Sequence, residues 1–246
     1  MLSNKLLQQT LSHFNRFKNE AHVVSPSLPI LYFGDLRAYE GSPLKIVTVG
    51  KNPSLNEFRL RATDDFSFAR FPLWNENTQN LEEALNPYFE TKPLKQWFSS
   101  FEPILNGLDA SYYAGSGQHT ALHTDLCSPL ATDPTWSLLG ANHRAELYAE
   151  GLELWKQLME ELQPDIILVS VPEHLYVSIF QPEKEELIAF QEKKNGEARK
   201  QAYRVWKSSF KLNTKSAKVI FGQAANKPFD TISAEQKIEI GKACLR

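Results

Sequence analysis

The pentapeptide Gly50-Lys51-Asn52-Pro53-Ser54 places a cation, an amide and a hydroxyl directly behind an apolar run, Leu44 to Val49. Glycine at a strand end followed by Asn-Pro is a turn signal. Such a turn would hold Lys51, Asn52 and Ser54 at the mouth of a cleft. An amide can orient a water but is no strong base, whereas a carboxylate at the same place could do both. Three other apolar runs lead to polar residues in the same manner. Thr120–Leu126 carries His123 and Asp125 and precedes Cys127-Ser128-Pro129. Ile166–Val171 leads to Glu173 and His174, and Ala217–Phe221 leads through Gly222 to Gln223 and Asn226. Open parallel sheets bind ligands beyond the carboxyl ends of their strands, which is where all four polar groups fall.

Each of these residues also has an ordinary reading. Gly50 to Ser54 can be a plain strand-ending turn, His123 a hydrogen-bonded core histidine, and Glu173 with His174 the start of a helix. Asp125, in a buried strand, needs a partner because an unpaired carboxylate there is costly. Cys127 reads as a small buried hydrophobe. Phe66 and Phe68 alternate as a half-buried strand would, and Phe71 and Trp74 read as core.

Positioning these residues calls for an α/β fold. The four runs are short, rich in β-branched residues and bounded by Gly or Pro, the pattern of strands buried on both faces. The expected architecture is a three-layer α/β/α domain with a central four-stranded parallel sheet, residues 1–246 forming one domain. Residues 1–21 carry Leu6, Leu7, Leu11, Phe14 and Phe17 at helical spacing, so 1–29 reads as an N-terminal helical extension. A second amphipathic helix is expected over 142–162, and a final one from Ser233, where Ser233-Ala234-Glu235-Gln236 is a capping signal.

Residues 185–215 form an insertion. Asn195-Gly196 between Leu187–Gln191 and Ala202–Trp206 favours a β-hairpin, over a helix in which Lys200, Arg204, Lys207 and Lys211 would share a face. Residues 193–218 hold Lys193, Lys194, Arg199, Lys200, Arg204, Lys207, Lys211, Lys215 and Lys218 against Glu197, with Tyr203 and Trp206 interleaved. That run is either a solvated face or a phosphate-binding surface.

Composition narrows the class. With 42% hydrophobic and 23% charged residues the chain can bury a large core, and a net charge of -2 does not by itself advertise a nucleic-acid binder. No apolar run is long enough for a bilayer and the N-terminus lacks the apolar core of a signal peptide, so a cytoplasmic location is expected. Cys127 and Cys244 stand far apart and make no ligand spacing with the six histidines; neither a disulfide nor a metal site is expected.

Val49-Gly50-Lys51-Asn52-Pro53-Ser54 resembles the first motif of the uracil-DNA glycosylase superfamily, a Gly-x-Asp-Pro or Gly-x-Asn-Pro turn closing the first parallel strand. Asp65-Phe66-Ser67-Phe68 is similar to the Phe-containing segment on which those enzymes stack the extruded base. Leu122 to Pro129 is similar to the strand that carries their base-reading Asn, with His123 at that position. The resemblance covers residues 30–246. It departs at the last motif: many members have His-Pro-Ser after the fourth strand, whereas this chain reads Phe221-Gly222-Gln223-Ala224-Ala225-Asn226-Lys227-Pro228.

The resemblance implies a monofunctional DNA N-glycosylase needing no cofactor. Asn52 would position water with help from the Pro53 backbone, and Phe66 would stack the base. His123 with Asp125 would read the base edge, and Gln223 or Asn226 would donate where the His is missing. Gly50 and Ser54 would shape the pocket, and Lys51 with Lys200, Arg204 and Lys207 would meet phosphates. The implied substrate is uracil or a modified pyrimidine, in single-stranded DNA or flipped from a duplex, and the implied state a monomer. Two rivals are a catalytically inactive nucleic-acid-binding protein of the same fold, which the missing His motivates, and a hydrolase of free nucleosides.

Overall fold

The computed structural model describes residues 1–180, 183–224 and 227–246; the expectation for Asn226 lies outside them. The helices are α1 (Asn4–Phe17), α2 (Leu36–Gly41), α3 (Leu81–Leu85), α4 (Lys95–Phe98), α5 (Glu102–Gly107), α6 (Ala141–Leu162), α7 (Glu173–Phe180) and α8 (Ala234–Cys244). The strands are β1 (Ile46–Gly50), β2 (Ala110–Ser111), β3 (His119–Asp125), β4 (Ile166–Val169), β5 (Glu185–Glu192), β6 (Ala198–Lys211) and β7 (Ser216–Gly222). None of the helices is long and apolar enough to cross a membrane among the described residues.

The strands form one mixed sheet in the order β2-β3-β1-β4-β7-β6-β5. β1 runs parallel to β4, pairing Ile46 with Ile166 through Val49 with Val169, and β4 runs parallel to β7. Every residue of β1 and β4 is buried, as continuous apolar strands in the middle of a parallel sheet must be. The four expected strands are therefore present and adjacent, as β3-β1-β4-β7. The sheet nevertheless has seven strands rather than four and is not wholly parallel. β6 pairs antiparallel with β7 from Val205–Gly222 to Lys211–Ser216, and β5 pairs antiparallel with β6. The insertion is thus a hairpin, as its Asn-Gly signal indicates, and it lengthens the sheet. Its loop is wider than a two-residue turn: Gly196 takes φ +82°, its N–H donates to the Lys193 carbonyl, and the Asn195 side chain accepts from the Glu197 N–H at 3.2 Å. β2 is too short to leave a periodic signal in the sequence.

The chain divides into two compact units interleaved in sequence. The first comprises Met1–Arg37, Gly50–Leu94 and Leu122–Leu162; the second Ala38–Val49, Lys95–Ala121 and Gln163–Arg246. Because neither is a contiguous stretch, no shift of composition along the chain marks a boundary. In the first unit α1 packs on α6, burying Leu6, Leu11 and Phe14. The chain then continues beside the segment that follows β3. Val24 N–H donates to Ala131, Ile30 N–H to Pro129, and Phe33 exchanges both backbone hydrogen bonds with His123. Residues 1–29 thus pack on α6 and on the segment after β3 within the first unit. In the second unit α5 packs on α8. α8 begins with the expected capping box, Ser233 and Gln236 each satisfying the other's backbone.

Candidate active site

Three of the expected residues meet at the end of β1. His123 and Asp125 are two apart on β3 and so share a face, and that face is turned on Gly50. A Cβ added at Gly50 would lie 2.5 Å from Asp125 Oδ1 and 3.0 Å from His123 Nε2. Only the absence of a side chain at position 50 lets the imidazole and the carboxylate come this close to the turn. The two groups are 2% and 5% exposed, with Nε2 and Oδ1 3.7 Å apart. That separation is within ion-pairing distance and too long for a hydrogen bond. Phe33 supports the imidazole with its ring centroid 5.5 Å away.

The turn itself is tied to the segment after β3. Leu126 and Cys127 N–H groups donate to the carbonyls of Gly50 and Lys51. The Asn52 amide nitrogen donates to the carbonyls of Pro53 (3.1 Å) and Leu130 (3.0 Å). Two carbonyl partners fix which end of this amide is which. Oδ1 is left buried without a hydrogen-bond partner among the described residues. Pro53 is buried. Ser54 caps a 3-10 turn over Leu55–Phe58, its Oγ accepting from the Asn56 N–H at 3.1 Å. Lys51 is half-buried and donates to Ser137 Oγ at 2.5 Å. Burial lowers the pKa of its ammonium; Cys127 and Asp125 oppose that shift and Arg144 adds to it. Burial pushes the Cys127 thiol well up, which makes it a poor nucleophile.

Helix α6 anchors the floor of the site. Gly151 meets the backbone of Cys127 and Ser128 so closely that a Cβ there would stand 2.3 Å from the Cys127 carbonyl oxygen. One turn on, Trp155 Nε1 donates to Thr124 Oγ1 at 3.1 Å. The helix thereby holds β3 on the face opposite to that of His123 and Asp125.

A carboxyl group that sequence reasoning missed lies beside this cluster. Glu57, third in the 3-10 turn, is 3% exposed. Its Oε2 accepts from the Tyr88 hydroxyl at 2.5 Å and stands 4.0 Å from Arg70 Nε. Burial raises its pKa to about 7, against the lowering effects of the Tyr88 hydrogen bond and of Arg70; Asp125 raises it further. Arg70 is itself committed, donating to the carbonyls of Asn56, Arg59 and Lys92. A carboxyl whose pKa is raised toward neutrality by burial is a candidate for general acid–base work. In the sequence Glu57 resembles any exposed loop charge. Its one signal is Ser54-Leu55-Asn56-Glu57, which has the spacing of a helix-capping box.

Phe66 lies in a stretch without regular structure, half-buried, with the Arg59 guanidinium 5.7 Å from its ring centroid. The expected strand alternation of Phe66 and Phe68 is absent. Phe68 turns inward to Phe58 and Trp74, and Phe71 and Trp74 are buried as expected. Phe33, Phe58, Phe71 and Tyr88 form the aromatic floor.

The remaining candidates belong to the second unit. Glu173 and His174 open α7 and are exposed. Gln223 is exposed, and its carbonyl accepts from the Tyr203 hydroxyl at 2.9 Å. The basic run is less free than its composition implies. Arg204 pairs with Glu186 and Lys207 with Glu185 across the hairpin; Lys193 pairs with Glu197, and Lys215 with Asp165. The carboxylates of β5 lie outside 193–218 in sequence but directly opposite it in the sheet. Lys200 is exposed and has no ion-pair partner among the described residues. The described residues contain no group of three or more His, Cys, Asp or Glu able to hold a metal ion.

No family model matches the chain, and no curated protein and no solved structure matches it at a significant level.

Proposed function

We propose that the protein is a DNA glycosylase-like hydrolase that cleaves the N-glycosidic bond of uracil or a modified pyrimidine in an extruded nucleotide. The observation that carries this reading is the meeting of Gly50, His123 and Asp125 at the end of β1, beside an Asn52 amide whose Oδ1 alone remains to accept a hydrogen bond. The fold in this reading is a three-layer α/β/α domain with the parallel strands β3-β1-β4-β7 at its centre. Asn52 Oδ1 accepts one hydrogen of a water and aims its lone pair at the anomeric carbon, while the Pro53 carbonyl keeps the amide from rotating. The bond from sugar to base breaks as oxocarbenium character develops, so the water needs orientation more than deprotonation. The departing base takes up negative charge and then a proton. His123, held by Asp125, meets the base edge, and preorganised donors of this kind contribute about 10²–10³ in rate each. Phe66 supplies a half-exposed ring for stacking. No step requires a metal or an organic cofactor.

The test is to incubate the protein with oligonucleotides carrying a panel of bases and then treat with alkali to cut abasic sites. Cleavage that is lost in Asn52→Ala supports the reading. Tight binding without cleavage for every base favours instead a nucleic-acid-binding protein of the same fold. One observation favours that rival: the residue after β7 is an exposed Gln223 rather than a His, leaving the base anion one donor short. Turnover of free nucleosides with weak, salt-insensitive DNA binding would replace both readings.

A further inference from the structure

Side chains from residues 14–27 and from residues 74–79 line a cleft of about 340 Å³ within the first unit. The cleft shares no residue with the Gly50 turn or with the groups gathered around it. Small-molecule sites run to about 300–1,000 Å³, so this volume suits one compact molecule and not a length of chain. Such sites are lined chiefly by apolar side chains, whereas most of the residues around this one are polar. Ser27 is 7% exposed. Its hydroxyl has no hydrogen-bond partner among the described residues and is not sealed from solvent; the cleft is the space it opens to. Trp74 stands in the same wall, 9% exposed, with its Nε1 buried and unpartnered among the described residues. Buried polar groups are nearly always satisfied, and two left open around one cavity point to bonds that a ligand completes. The amides of Asn19, Asn77 and Gln79 in the wall likewise bond to no other described residue. The loop carrying the last two is fixed by its backbone: Asn75 accepts from the Asn77 N–H through Oδ1 at 2.9 Å and from the Gln79 N–H through its carbonyl at 2.8 Å.

We infer that this cleft binds a small neutral polyhydroxylated molecule, a monosaccharide or disaccharide, whose hydroxyl groups meet the Ser27 hydroxyl and the amides of Asn77 and Gln79. An amide presents a donor and an acceptor together, and a hydroxyl does the same. A ligand matched to such a wall donates and accepts at several points, as the neighbouring hydroxyls of a sugar do. Lys18 and Glu76 contribute one cation and one carboxylate to the lining. Their charges cancel, so the wall selects neither an anion nor a cation. A free amino acid would answer Lys18 and Glu76 but leave Ser27 and the amides without partners. The inference does not rest on the reading proposed for the Gly50 turn. Sequence reading gives no hint of it, because Ser27 and Asn77 lie far apart in the chain and neither belongs to a motif.

The experiment is isothermal titration calorimetry of the full-length chain with ribose, glucose, maltose and trehalose, and with free glycine as the amino-acid comparison. Wild type is measured beside Ser27→Ala and Asn77→Ala, with circular dichroism to verify that each variant is folded. Asn77 is exposed, so Asn77→Ala keeps the inference open to refutation should Ser27→Ala fail to fold. The expected result is saturable one-to-one binding of at least one of these sugars, in the millimolar range or tighter. Each variant should weaken it by about 3- to 10-fold, as the loss of one neutral hydrogen bond does. No saturable binding of any of the sugars overturns the inference. A sugar affinity unchanged in every folded variant also overturns it, because the sugar then binds elsewhere on the chain. Saturation by glycine that the variants weaken, with no sugar competing, would make the cleft an amino-acid site and overturn the sugar assignment. Base release is not read in this experiment, so failure here leaves the reading of the Gly50 turn as it stands.

Discussion

Oδ1 of Asp125 stands 2.5 Å from the point that a Cβ on residue 50 would occupy. Two residues of β3, Asp125 and His123, therefore occupy the space that a side chain at position 50 would need. Gly50→Ala is expected to destabilise the protein by about 1–3 kcal/mol, as overpacking of a filled site does, and, under the proposed function, to abolish base release. Adding Asp125→Ala should recover part of that stability, and urea denaturation of the two single variants and the double variant measures the coupling. Additive effects would show that the turn yields in some other direction.

Glu57 should make stability depend on pH. Its folded pKa, about 7, lies above the ordinary value of 4.5, so between those values the native state holds a proton that the unfolded state has released. Stability then falls as pH rises from 4.5 through 7 and levels off above it. For a fully buried group the total is on the order of 3 kcal/mol. Glu57→Gln keeps an acceptor for the Tyr88 hydroxyl and removes the titration. Its urea midpoint should vary less across this window than that of wild type and should exceed it above pH 7. An unchanged slope in the variant would assign the pH dependence elsewhere.

The hairpin cations should become available when their partners are removed. Glu185→Gln with Glu186→Gln frees Lys207 and Arg204. Exposed pairs of this kind contribute about 0–1 kcal/mol, so little stability should be lost. If this face meets nucleic acid, oligonucleotide affinity at low salt should rise and the salt slope steepen by about 0.7 for each freed cation that reaches a phosphate. No change in slope would make the hairpin a solvated face and remove Lys200, Arg204 and Lys207 from any nucleic-acid interface.

At α8, Ser233→Ala removes the oxygen that accepts from the Gln236 N–H at 3.2 Å. Thermal denaturation should register a loss of about 1 kcal/mol. Any base release, as the proposed function has it, should be unaffected, since none of the residues given a part in that chemistry lies on this helix.

The sequence was most legible where a local rule decides the outcome. Leu44 to Val49 and Ile166 to Val171 could be read as buried strands because β-branched runs ending at Gly or Pro have few other uses, and Ser233 with Gln236 could be read as a cap because the motif is complete within four residues. What escaped is what depends on residues distant in sequence. Glu57 is buried by Tyr88 and Arg70, which carry no signal at position 57. The cations of β6 looked free because the carboxylates of β5 that pair with them lie across a loop. Of the site, the turn and the facing pair His123 and Asp125 were found, since strand ends are where an α/β sheet exposes polar groups. Their separation of 3.7 Å, too long for a hydrogen bond, was beyond reach of any pattern.

The path of residues 23–33 has a practical consequence for anyone who trims this protein. A chain begun at Ile30 would keep every side chain assigned to the chemistry. It would lose the Val24 amide that satisfies Ala131, the Val23–Thr132 bridge and the helix that covers α6. The Ala131 carbonyl, next to the Leu130 carbonyl that orients the Asn52 amide, would then lose its partner. Such a fragment would be intact as a list of motifs and blunt as a tool, which makes the leading twenty-nine residues the wrong place to economise.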